Sequence, residues 1–102
     1  MLIWDRMTLD ELGKKKRDSI RAIAARHGVH SVRVFGSFAR GDAGENSDLD
    51  LLIEAGPSTQ PWFPGGLLFD LEEELGRKVD IAEENSLHPL IRDRILLEAI
   101  PL

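Results

Sequence analysis

Val34-Phe35-Gly36-Ser37-Phe38-Ala39-Arg40-Gly41 runs through Asp42-Ala43-Gly44-Glu45-Asn46 into Ser47-Asp48-Leu49-Asp50-Leu51-Leu52-Ile53-Glu54, joining two apolar runs by a polar turn. Gly36-Ser37 breaks the first run and opens a short segment able to turn into a helix. The second run, Leu49 to Ile53, begins with Asp48 and Asp50 in alternation. In a β-strand, residues two apart share a face with Cα atoms about 6.6 Å apart, so these carboxylates converge. Carboxylates that close repel one another unless a cation sits between them. Oxygen ligands in this arrangement suit Mg²⁺, which takes one or two carboxylates and completes its octahedron with water and substrate phosphate. A phosphate needs its own cradle, and Gly36-Ser37 offers one: glycine lets the backbone approach, Ser37 brings a hydroxyl, and N–H groups at a helix start point at an anion.

Working outward, Ser31 to Phe35 alternates and is β-branched enough for a strand. The polar Asp42-Ala43-Gly44-Glu45-Asn46 loop returns the chain to a strand over Asp48 to Glu54, which predicts antiparallel neighbours with the Gly36 turn beside the aspartates. Gly56 to Gly66 holds three prolines and three glycines in eleven residues and reads as a loop within the domain. Trp62 and Phe63 there read as anchors of the next helix, with base stacking as the sharper alternative. That helix, about Pro64 to Leu75, would bury Leu67, Leu68, Leu71 and Leu75, expose Glu72-Glu73-Glu74 and stop at Gly76. Lys78 to Ala82 is a short strand with Val79 and Ile81 toward the core and Asp80 opposite. With a helix between them, this strand and the Asp50 strand can run parallel, setting Asp80 beside Asp50.

Toward the ends, Thr8 and Glu11 form a capping box for a helix reaching about His27, with Leu9, Leu12, Ile20, Ile23 and Ala24 inward and Gly28 closing it. Its basic residues Lys14, Lys15, Lys16 and Arg17, with Arg21 and Arg26, form a solvated face or a docking surface. A last helix, roughly His88 to Ile100, is expected to close the core with Leu87, Leu90, Ile91, Ile95 and Ala99, ended by Pro101. His27, His30 and His88 read as structural.

A chain of 102 residues is expected to form one domain, residues 1–102. Hydrophobic residues at 42% and charged ones at 30% are globular values. The net charge of −5 weighs against a nucleic acid as main partner. With no cysteine, disulfides and thiolate metal sites are excluded. No apolar run nears the roughly 20 residues of a membrane span, and the first residues are too short and acidic for a signal peptide, so a cytoplasmic location without membrane attachment is expected.

Singly, each acid has a bland reading; Asp48 alone would be a turn residue, Ser37 a helix N-cap, and Arg40 either the surface partner of Asp42 or a triphosphate contact. Together the acids point to metal, because a strand-centre charge costs several kcal/mol unless paired and Arg40 is the only evident cation nearby.

Gly36-Ser37, then Ser47-Asp48-Leu49-Asp50-Leu51, then a later strand bearing Asp80, resembles the nucleotidyltransferases of the DNA polymerase β superfamily. In so short a chain, GSFARG followed by SDLDLL resembles the minimal nucleotidyltransferases (MNT), antitoxin partners of HEPN toxins. The resemblance covers about residues 28 to 100. It implies an α/β (α+β) fold with a small mixed sheet flanked by helices, and transfer of a nucleotide from a triphosphate with loss of pyrophosphate. By it, Asp48, Asp50 and Asp80 would hold two Mg²⁺ ions, Asp80 would receive the attacking hydroxyl's proton, and Gly36, Ser37 and Arg40 would hold the phosphates of ATP. The activity it implies is transfer of AMP to a tyrosine of a HEPN toxin encoded nearby. The alternatives are neutralisation of the toxin by complex formation alone, and adenylylation of a small molecule or a nucleic-acid end; self-association is compatible with either.

Overall fold

The computed structural model describes residue 12 and residues 15–44, 46–56 and 63–102. In order, the elements are α1 (Arg17–Arg26), β1 (Val29–Phe35), α2 (Gly36–Arg40), β2 (Leu49–Ala55), α3 (Gly65–Leu75), β3 (Val79–Glu83), a 3₁₀ turn (Glu84–Ser86), α4 (Pro89–Glu98) and β4 (Ile100–Pro101). The capping box at Thr8 and Glu11, Leu9, Lys14 and Trp62 lie outside the described residues.

The four strands form one sheet in the order β3-β2-β1-β4. β1 and β2 are antiparallel, with Val34 opposite Leu51 and Phe35 opposite Asp50. β2 and β3 are parallel, with Asp50 opposite Asp80. A parallel pair needs a crossover, and α3 supplies it. The mixed sheet flanked by helices is the expected architecture.

Strand alternation sorts the sheet into two faces. Val32 and Val34 of β1, Leu49, Leu51 and Ile53 of β2 and Val79 of β3 pack into one core with Leu12, with Ile20, Ile23 and Ala24 of α1, and with Leu67, Leu71 and Leu75 of α3. Phe63 packs against that core from its edge, as expected of an anchor, whereas Leu68, expected to be buried, is only partly so and flanks the core beside Leu67 and Leu71. Glu72 is half-buried rather than exposed, because its carboxylate accepts the Val79 N–H at 3.0 Å and fixes the entry to β3.

The C-terminal helix departs from expectation. α4 buries none of its residues, and Leu90 and Leu97 are 88% and 89% exposed. At 100° per residue, Leu90, Ile91, Ile95, Leu96 and Leu97 are spread around the helix and make no single stripe for the core. The chain then turns extended at Ala99, and Ile100 and Pro101 pair with Val34 and Arg33 as an edge strand. Proline has no N–H to give, which an outer strand tolerates. Polar contacts tether α4: Arg92 Nη1 donates to the Glu84 carbonyl at 2.8 Å, and Glu98 accepts from Arg40 at 2.6 Å. His88 starts the helix, its Nδ1 accepting the Leu90 N–H at 3.1 Å.

Candidate active site

On the face opposite the core, the register aligns Phe35, Asp50 and Asp80 on three adjacent strands. Asp50 is half-buried, Asp80 is exposed, and Asp48 stands exposed just ahead of β2. Burial first, and then the charges of Asp80 and Asp48, push the Asp50 carboxyl up to about 6, while the Arg40 charge pulls it down. All three sequence-predicted acids thus act electrostatically on one point. Among the described residues no three acidic or histidine side chains converge tightly enough to hold an ion unaided. That suits Mg²⁺ arriving with a phosphate, since it uses few carboxylates and takes other oxygens from water and substrate. Burial first and then repulsion from Asp80 and Asp48 disfavour the Asp50 charge, and a cation would offset both, so the donor set fits the ion.

Gly36 opens α2 directly over this acid. It is buried, with φ of +72°, and a Cβ there would collide with Asp50 Oδ2 and lie 2.9 Å from Asp50 Cγ. Only glycine meets both conditions. The expectation of Ser37 as an N-cap is corrected: Phe35, extended, holds the cap position, Ser37 lies within α2, and no side chain caps the helix. The reason is that the left-handed turn at Gly36 starts the helix one residue earlier. The first turn of α2, led by the Gly36 and Ser37 N–H groups, therefore stands beside Asp50. Phe38, 2% exposed, ties the five-residue helix to the core.

Arg40 reaches Asp42 at 3.4 Å, as one reading of the sequence had it, and more closely Glu98 at 2.6 Å. The hydrogen bond to Glu98 is the chief cause raising the guanidinium's pKa. Glu98 escaped sequence reading because it lies 58 positions away, on a helix expected to serve the core.

Arg77 was also not singled out. Its Nη1 donates to the carbonyl of Ser47 at 2.6 Å and to that of Gly44 at 3.4 Å. Its guanidinium lies over the Phe38 ring, 5.1 Å from the centroid. The turn it grips is closed by Ser47 N–H to the Gly44 carbonyl at 3.1 Å and Gly44 N–H to Ser47 Oγ at 2.8 Å. The only hint in the sequence is a long cation between the helix stop at Gly76 and the strand of Asp80.

Two of the three histidines, His27 and His88, make contacts that serve the fold. His27 is buried and its Nε2 bonds Asp70 Oδ2 at 2.8 Å between α1 and α3, while His30 is exposed.

The nucleotidyltransferase domain family matches residues 16–102. A protein of Methanocaldococcus jannaschii, named provisionally as a protein adenylyltransferase, is 42% identical over 94 residues, covering 92% of this chain and 97% of its own. The protein adenylyltransferase MntA of Thermococcus cleftensis is 34% identical over 96 residues, covering 92% of this chain and 95% of its own. A solved structure described as a minimal nucleotidyltransferase superposes with a TM-score of 0.81 at 44% identity, covering 95% of this chain and 98% of that one. A toxin–antitoxin complex crystallised with AMP-PNP shares the fold, with a TM-score of 0.72 at 18% identity over 84% of this chain and 71% of that one. A glycine-led turn packed onto the strand acid Asp50, beside Asp48 and Asp80, is thus set in a chain that belongs to the nucleotidyltransferase domain family, as an enzyme of its minimal form.

Proposed function

We propose that this enzyme transfers AMP from ATP to a tyrosine hydroxyl of a HEPN-type toxin partner and so silences it. Asp48, Asp50 and Asp80 hold Mg²⁺, and Gly36, Ser37 and Arg40 hold the triphosphate. The observation that carries this reading is the contact of Gly36 with Asp50 beside Asp80, which makes phosphate cradle and acids one continuous surface. The names of the relatives favour a protein acceptor and adenylyl transfer, and the toxin–antitoxin complex of the same fold favours a toxin as that acceptor.

Bound at the acids, Mg²⁺ supplies charge neutralisation at the phosphoryl group and at the attacking and leaving oxygens. The chain's own groups do the rest. The first-turn N–H groups and the Ser37 hydroxyl receive the β- and γ-phosphates. Arg40 has five N–H donors, enough to meet a phosphate oxygen while keeping Glu98. As the tyrosine oxygen bonds to the α-phosphorus, the bond to pyrophosphate breaks and pyrophosphate leaves. Asp80, exposed at the edge of the row, accepts the hydroxyl proton directly or through water.

The test is incubation with ATP, Mg²⁺ and the protein encoded beside it, followed by intact mass measurement of both. An added adenylyl group on the partner's tyrosine supports the proposal, and an unmodified partner with full neutralisation refutes it.

A further inference from the structure

We infer that Arg77 is a positioning residue for the transfer reaction, acting through Asp48. This inference rests on the proposed site. The Asp48 side chain makes no hydrogen bond among the described residues, so only its backbone can aim it. That backbone is held on both sides by the segment leading into β3. On one side Arg77 Nη1 grips the Ser47 carbonyl at 2.6 Å, and that carbonyl belongs to the planar peptide joining Ser47 to Asp48. On the other side the Leu49 N–H donates to the Lys78 carbonyl at 3.0 Å. The same guanidinium covers the Phe38 ring at 5.1 Å, and Phe38 sits in the helix that Gly36 and Ser37 begin.

One side chain therefore joins the phosphate turn, the loop before Asp48 and the approach to Asp80. These segments come from three separate stretches of sequence, and their relative placement sets the distance between cradle and acids. Arginine suits the task because its planar fork donates along an edge to carbonyls while its face lies on an aromatic ring. A lysine keeps the charge but has neither plane nor fork.

The experiment compares wild type with Arg77→Lys and Arg77→Met, using Asp70→Asn as a stability control. Asp70→Asn weakens the His27 contact on the opposite face of the sheet. Amide exchange at Ser47 and Leu49, whose N–H groups are bonded to the Gly44 and Lys78 carbonyls, should quicken by about tenfold or more in both Arg77 variants, with Val34 and Leu51 unchanged. Mn²⁺ binding, titrated with a non-hydrolysable ATP analogue present, should weaken by about fivefold or more as Asp48 loses its aim. In the transfer assay kcat should fall by at least about tenfold, with the KM for ATP within about threefold, because the cradle itself is intact. Asp70→Asn should lower the melting temperature and leave all three readings in place.

Wild-type exchange at Ser47 and Leu49 in Arg77→Lys, or losses that follow melting temperature as in Asp70→Asn, overturns the inference. If Arg77→Met does not fold, Arg77→Gln, which keeps a polar side chain but loses the charge and the fork, must give the same exchange pattern. A wild-type protein that transfers nothing sinks the adenylyl reading, while the exchange and Mn²⁺ measurements still decide the role of Arg77.

Discussion

Gly36 and Asp50 are packed so closely that a single added carbon at position 36 would meet the Asp50 carboxylate, with 2.9 Å to Cγ and 3.2 Å to Cβ. The contact joins the turn after β1 to the middle strand of the acid row. Gly36→Ala should therefore cost more than the 1–2 kcal/mol of a left-handed L-residue and should displace the acid. In an Asp50→Ala background the collision with the carboxylate is gone, leaving the backbone strain and the 3.2 Å approach to the Cβ of residue 50. A double-mutant cycle by denaturant unfolding should give a coupling of about 0.5–3 kcal/mol. Additive losses would mean that the two residues do not touch.

The raised pKa of Asp50 makes its own test. Folded, the carboxyl holds its proton up to about 6; the ordinary value is 3.8. Between those values the folded state binds more protons than the unfolded one, so this group's contribution to stability falls as pH rises, and the loss is complete above about 6. Asp50→Asn should melt higher than the metal-free wild type near pH 7, and that advantage should vanish toward pH 4. The variant should also lose stabilisation by Mg²⁺ with ATP, a linkage effect in the wild type that weakens below about pH 6 as the proton competes. A melting difference that does not change with pH would refute the account.

The core face and the acid row were legible because two-residue alternation in β2 fixes both together: if Leu49, Leu51 and Ile53 point in, Asp50 must point out. The pairing of Asp50 with Asp80 was legible too, because a helix between two strands permits a parallel neighbour. Arg77 and Glu98 were not, since each acts on groups 30 or 58 positions away and neither breaks a local pattern. α4 misled for the opposite reason. Its many leucines and isoleucines suggested burial, but α1 and α3 already cover the core face, and the chain's last residues are taken into the sheet. The left-handed start at Gly36 likewise overrode the common preference for serine at a helix N-cap.

Asp80 separates binding from chemistry. It is exposed, so Asp80→Ala should change stability by no more than about 0.5 kcal/mol. On the proposed roles, nucleotide affinity should stay within about tenfold, because the proposed phosphate cradle is on α2, while transfer should fall by at least about 10² with the proposed proton acceptor gone. Calorimetric ATP binding and single-turnover transfer, measured on the same preparation, distinguish this from a nucleotide-holding role, in which both would fall together.

The partner prediction follows from what the chain lacks. Holding an acceptor hydroxyl in line with the α-phosphate is worth several kcal/mol of barrier and needs a surface that positions it. These 102 residues contain no tyrosine, so a tyrosine acceptor lies outside them. Lys15, just ahead of α1, and Arg17, at its start, are exposed, Lys16 reaches Glu74 at 3.4 Å, and Glu73 and Glu74 are exposed on α3, so candidate docking charges of both signs lie on the helical side of the sheet. A stable complex with the protein encoded alongside should form with or without ATP, and an adenylyl group should appear on that partner's tyrosine only when ATP and Mg²⁺ are added. The Asp48→Asn/Asp50→Asn protein should bind the partner with unchanged affinity and leave it unmodified and active. If that double variant neutralises the partner as well as wild type does at equal concentration, and no mass increase is ever seen, neutralisation works by binding alone and the transfer reaction is not what silences the partner.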